Sequence, residues 1–220
     1  MLNHSHVFEF LSALAHNNTR EWFHDNRSLY EKSLESISDF TNELIHGISE
    51  FDSAVSNETI KTSLFRIYRD LRFTPDKRPY KTHFGIYVVK GGKASPLAGY
   101  YLHIQNNSSE LAGGLWSPHK DVLAKVRQEI YYEPEKFVKI INDKVFVDTF
   151  KGLSPLEKLK ILPRTFSGDF PYNELLKYKH YIVAKSFTNE EVLNKNFIRT
   201  CIDTCKLLYP FNHYFNTIIQ

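Results

Sequence analysis

Three short stretches of alternating hydrophobicity lie between His83 and Trp116, and the links between them are too short for parallel pairing. In the first, Phe84, Ile86 and Val88 point one way, while His83, Gly85, Tyr87 and Val89 point the other. The second runs from Gly99 to Gln105 and the third from Glu110 to Trp116. Parallel strands need a crossover of roughly a dozen residues or more. Here the links are the turn residues Lys90-Gly91-Gly92-Lys93 with Ser95-Pro96, and then Asn106-Asn107. The expectation is an antiparallel meander in the middle third of the chain.

Both ends of the chain have helical spacing instead. Phe8, Leu11, Leu14 and Ala15 predict a first helix that stops at Asn17-Asn18. Asn18 stands three residues before Glu21, an N-cap pairing that opens a second helix from Thr19 to about Phe51, with a break expected near Asn26. Trp22, Phe23, Tyr30, Leu34, Ile37, Phe40, Leu44, Ile45 and Ile48 mark its buried face; Glu31, Glu35, Asp39 and Glu43 face water. After the meander, Ser117-Pro118 reads as an N-cap and first helical residue, with Val122, Leu123, Val126 and Ile130 inward. Pro134 interrupts before Phe137, Val138, Ile140 and Ile141. A late strand is expected near 179–186. Thr188 with Glu191 makes a capping box before the last helical region, which Pro210 should end or kink. Residues 145–170 give no clear pattern.

The fold class is therefore α+β: a central antiparallel sheet from the middle third, packed with helices from the N- and C-terminal thirds. The 220 residues suit one domain, 1–220, with no repeat and no linker. Cys201 and Cys205 share a helix face and read as small buried thiols. The start, Met1-Leu-Asn-His-Ser-His, lacks a signal-peptide pattern, and no apolar run is long enough to span a bilayer. The expected location is cytoplasmic, with no membrane partner.

Charge is concentrated in one place. From Lys61 to Lys93 nine Lys/Arg stand against two Asp, a local +7, so the rest of the chain carries −4 within the overall +3. Such an island is a local device. Arg66, Tyr68, Asp70 and Arg72 alternate with Phe65, Ile67, Leu71 and Phe73, the pattern of an extended segment; Arg69 interrupts its apolar side. Pro75 and Pro79 make 74–81 a loop of reduced freedom, carrying Asp76, Lys77, Arg78, Tyr80 and Lys81. Guanidinium groups two apart on a strand point the same way and can grip one anion. The ligand-binding candidates are Arg66, Tyr68, Arg69, Arg72, Lys77, Tyr80, Lys81 and Gly114. Gly113-Gly114 is a place for a bulge or a close approach, to a ligand or to a packed helix. His83 and His103, on strands expected to neighbour each other, are candidate acid/base groups with Asp70, against the plainer reading of hydrogen-bonded sheet histidines. No metal and no cofactor are expected: His4-x-His6 stands alone, and no Walker loop, dinucleotide fingerprint or G-x-S-x-G elbow is present.

The string RIYRDLRFTPDKRPYKTHFG, with NNTREWFHDNRSLYE upstream and GGLWSP, LLKYKHY and LLYPFNHYFN downstream, resembles the bacterial and fungal family known as domain of unknown function 2461. The resemblance covers nearly the whole chain and implies a single domain without supplying a substrate. Its motif positions fall here on Asn18, Arg20, Trp22, Phe23, Arg66, Tyr68, Arg69, Asp70, Arg72, Phe73, Asp76, Lys77, Pro79, Tyr80, Lys81 and Gly114. At Pro163-Arg164-Thr165-Phe166 relatives often carry Gly in place of Thr165.

Three functions compete. The first is a site, enzymatic or not, for a small molecule bearing phosphate or carboxylate. The second is a structural or interaction module whose arginines are internal braces, paired with the acidic helix 31–43. The third is nucleic-acid binding, with Tyr68, Tyr80 or Trp116 stacking on bases; the −4 balance elsewhere works against the long cationic track it needs. Oligomeric state is left open.

Overall fold

A computed structural model describes residues 5–72, 74–166 and 168–220. Phe73, part of the expected alternation, and His4 lie outside the described residues. The meander forms as expected: β1 Phe84–Val88, β2 Gly99–Ile104 and β3 Ser109–Leu115 pair antiparallel in that order, and β4 Tyr181–Phe187 adds against β3. Gly85 opposes His103 and Tyr87 opposes Tyr101, so one sheet face carries those polar and aromatic side chains. The other face carries Phe84, Ile86, Val88, Tyr100, Leu102, Leu111 and Val183, all buried.

That apolar face is covered by helices from both ends of the chain. Helices α1 Ser5–His16, α2 Arg20–Asp25 and α3 Arg27–Ser49 come first, with the break falling on Asn26 as expected. A single 3-10 turn, Ser53–Val55, and a short α4, Ile60–Ser63, bring the chain to the sheet edge. After β3 come α5 Lys120–Tyr132, α6 Pro134–Ile141 and α7 Lys144–Phe150; α8 Asn189–Leu193 and α9 Phe197–Ile219 follow β4. Helix α9 packs on β3 and against α3, and α1 packs on α3. The close α3–α9 crossing needs Gly47, since a Cβ there would strike Ile202. No helix among the described residues is long and apolar enough to cross a membrane.

Helix α9 is tied to the sheet by side-chain amides one turn apart. Asn212 accepts from Gly114 N at 2.7 Å and donates to Gly99 O at 3.0 Å. Asn216 bonds both backbone groups of Ala98, at 2.8 and 3.0 Å. Gly114 has φ 107°, and an added Cβ would strike Tyr181 O and the Phe211 ring. Its close approach is thus to packed protein. Cys201 and Cys205 are buried free thiols in the same helix, and burial raises both pKa values.

Two caps differ from expectation, each through a tertiary partner. Thr19, not Asn18, caps α2 through Trp22 N, because the Asn18 amide is committed to Tyr80. His119, not Ser117, caps α5; Ser117 has φ 47° and gives its backbone N–H to His180 Nδ1 at 2.8 Å. Pro210 does not end α9, which continues to Ile219 with the proline on its exposed side.

Candidate functional site

The cationic segment does not form a regular strand. Leu64 makes an isolated bridge to Ile86 and Tyr68 another to Tyr80, while Lys81 N donates to Ile67 O and Arg69 N to Pro79 O. The period of two is nonetheless physical: Ile67 is buried and Arg69 and Leu71 half-buried, while Arg66, Tyr68, Asp70 and Arg72 are exposed. This extended loop is fastened to the α1–α2 turn by Asn18. Its amide donates to Tyr80 O and accepts from Tyr80 N, both at 3.0 Å, as a neighbouring strand would.

Between these two elements lies a cleft of about 370 Å³, lined by Arg20, Phe23, His24, Arg27, Tyr68, Arg69, Leu71, Pro79 and Tyr80. The lining contains three arginines and no carboxylate. Phe23 and Tyr80 stack at 4.0 Å between centroids and 14° between planes, and Tyr68 leans on both. Arg27 pairs with Glu31 at 2.8 Å. Arg69 reaches Asp76 at 2.6 Å, and Arg78 holds the same carboxylate at 2.7 Å, so one negative charge serves two guanidiniums. Those bonds pull the Asp76 pKa well below the usual carboxylate range, hydrogen bonds from Arg78 contributing most. Among the described residues Arg20 makes no ion pair. The pairing leaves a surplus of two positive charges around the cleft.

The structure brings together Tyr68, Arg69 and Tyr80 of the expected binding set, and leaves the others outside the cleft. Arg72 holds Asp70 through Nε and Nη2, the shortest contact 2.7 Å, which lowers the Asp70 pKa strongly. Lys77 donates to the carbonyls of Leu71 and Thr74, and Lys81 to that of Arg66. Arg66 is exposed and does not line the cleft, and Gly114 is packed under α9. The acidic helix face does not supply the braces: Arg69 and Arg72 pair with Asp76 and Asp70 of their own segment. Arg20, His24 and Arg27 are not among the expected binding residues, although Arg20, Phe23 and His24 share a face of α2 and Arg27 opens α3 directly after the break. Nothing in the sequence shows that this face meets residues 68–80, since the Asn18–Tyr80 contact spans 62 positions.

The two candidate histidines meet on the open face of the sheet. His83 and His103 stack at 4.1 Å between centroids. His103 lies between Tyr101 Oη, 3.1 Å from Nδ1, and Gln105 Oε1, 2.9 Å from Nε2, so both ring nitrogens have a hydrogen-bond partner. His83 is pushed down to about 4, mainly by burial, then by His103, Lys81 and Arg69, so it is neutral at pH 7. Asp70 is not their partner: both its oxygens are on Arg72. Trp116, exposed at the end of β3, leans on His180 and stands apart from Tyr68 and Tyr80 in the contacts it makes. No group of three or more His, Cys, Asp or Glu among the described residues is arranged to hold a metal.

The chain is thus an α+β protein with a one-sided antiparallel sheet and an arginine-lined cleft where its N-terminal helices meet the cationic loop. It belongs to the family described as "Conserved hypothetical protein (DUF2461)", whose profile matches residues 6–214. No curated protein and no solved structure matches it.

Proposed function

We propose that the cleft between α2, the start of α3 and residues 68–80 binds the anionic group of a small molecule, a phosphate or a carboxylate. The observation that carries this is a lining with Arg20, Arg27 and Arg69 and no carboxylate. Arginine's planar fork suits bidentate recognition of such groups. Asn18 and the two prolines hold the loop in place beforehand, which reduces the ordering cost of binding.

Titration calorimetry with inorganic phosphate and with citrate tests it. Arg20→Ala removes a cation that makes no ion pair among the described residues, so its melting temperature should match the wild type while affinity falls about tenfold, the loss of one charge-assisted contact. Wild-type protein that binds neither anion, or an Arg20→Ala variant that binds as tightly as wild type, overturns the proposal. A second reading, in which the motif is mainly bracing, is favoured by Arg72 on Asp70 and by Lys77 and Lys81 on backbone carbonyls. It expects Arg69→Ala to lose stability and change no affinity. The same use of cations as braces weighs against a long nucleic-acid track.

A further inference from the structure

We infer that the ligand of this cleft is a phosphate monoester carrying a planar ring, of mononucleotide size; the inference rests on the anion-site reading above. The walls divide into two chemistries. One is cationic, from Arg20, Arg27 and Arg69; with Arg78, which shares Asp76 with Arg69, the surplus is two charges, which matches a dianion better than a single carboxylate. The other is aromatic. Phe23 and Tyr80 are buried and spend their faces on each other, whereas Tyr68, tilted 54° to Tyr80 and 58° to Phe23, is 45% exposed.

Exposure of a large aromatic is ordinary by itself. This one is held from behind by two buried rings and by its backbone bridge to Tyr80, with Arg69 N bonded to Pro79 O beside it. It is a fixed platform beside a cationic wall, so a ring stacked on it loses little freedom that the phosphate has not already given up. The volume, about 370 Å³, lies near the low end of the 300–1,000 Å³ range of small-molecule sites and suits a mononucleotide-sized ligand rather than a dinucleotide.

Calorimetry on the full chain with five probes tests this: inorganic phosphate, ribose 5-phosphate, AMP, UMP and free phosphotyrosine. Ring-bearing monophosphates should bind roughly 10- to 100-fold tighter than ribose 5-phosphate, the range of one base stacked on an aromatic side chain. Tyr68→Leu should abolish that preference and leave phosphate affinity unchanged; Tyr68→Phe should keep it. Preference for AMP and UMP identifies a nucleotide, and preference for phosphotyrosine an aryl phosphate; either supports the inference. If phosphate binds but AMP, UMP and phosphotyrosine bind no better than ribose 5-phosphate, the ring requirement falls and the anion site stands. If no probe binds while citrate does, the phosphate inference falls and the anion site stands; if citrate fails too, both fall.

Discussion

Replacing Asn18 by alanine tests whether one amide joins the two halves of the cleft. The side chain makes two hydrogen bonds to one residue, each 3.0 Å long, in a half-buried place where water replaces them poorly. Net values of about 0.5–1.5 kcal/mol per bond give a loss of about 2 kcal/mol. For a chain of this size that corresponds to a melting temperature lower by roughly 4–8 °C. Asn17→Ala is the internal control, because its amide meets only Ala13 O on an exposed helix end; it should cost less than about 0.5 kcal/mol. Asn18→Asp should be at least as damaging as Asn18→Ala, since a carboxylate oxygen would then face the Tyr80 carbonyl. Differential scanning calorimetry on the four proteins measures all of this. Equal melting temperatures for Asn17→Ala and Asn18→Ala, or an Asn18→Asp variant as stable as wild type, would refute the reasoning.

Two further predictions concern the sheet. Asn212→Leu orphans Gly114 N and Gly99 O in an interior where Asn212 is 1% exposed, so urea denaturation should show a loss of about 2–5 kcal/mol with an unchanged slope. His83 is held at about 4 in the folded state, below its ordinary 6.5, so as the pH falls through that window the unfolded chain takes up the proton first and stability declines. After discounting for the ring's partial exposure, the decline attributable to His83 is on the order of 1–2 kcal/mol, and His83→Gln should remove that share. A wild-type-like pH slope in His83→Gln would refute the cause assigned to it. Asp70 and Asp76, whose pKa values are lowered, act on stability mostly below pH 4 and do not mask the test.

How far the fold could be read depended on how local its causes were. Alternation and short turns determined β1, β2 and β3 together, because Gly91, Gly92 and the Asn106-Asn107 pair leave no room for a crossover. The alternation of β4 was visible, but its place beside β3 was not, since nothing between residues 116 and 180 records which edge stays open. Caps went astray for the same reason: Asn18 and Ser117 have the right chemistry locally, and Tyr80 and His180 engaged them from 62 and 63 positions away. In the cleft, Tyr68, Arg69 and Tyr80 were legible from their own segment. Arg20, His24 and Arg27 needed knowledge of what their helix face meets.

The charge island illustrates how a count of cations can mislead. An extended segment that pairs only through isolated bridges leaves carbonyls without strand partners. Two lysines reach such carbonyls, Lys77 at Leu71 O and Thr74 O and Lys81 at Arg66 O, while Lys93 closes the end of α4 at Lys61 O and Leu64 O, at 2.6 and 2.7 Å. An ammonium has three donors and a flexible stem, so it can satisfy two carbonyls whose directions do not match a regular ladder. Lys81 and Lys93 also cover the Phe65 ring, and burial lowers both their pKa values. Three of the nine cations are therefore committed to backbone carbonyls. Of the nine cations between Lys61 and Lys93, only Arg69 lines the cleft. The proposed anion site draws its guanidiniums from two separate elements, not from the density of charge along one.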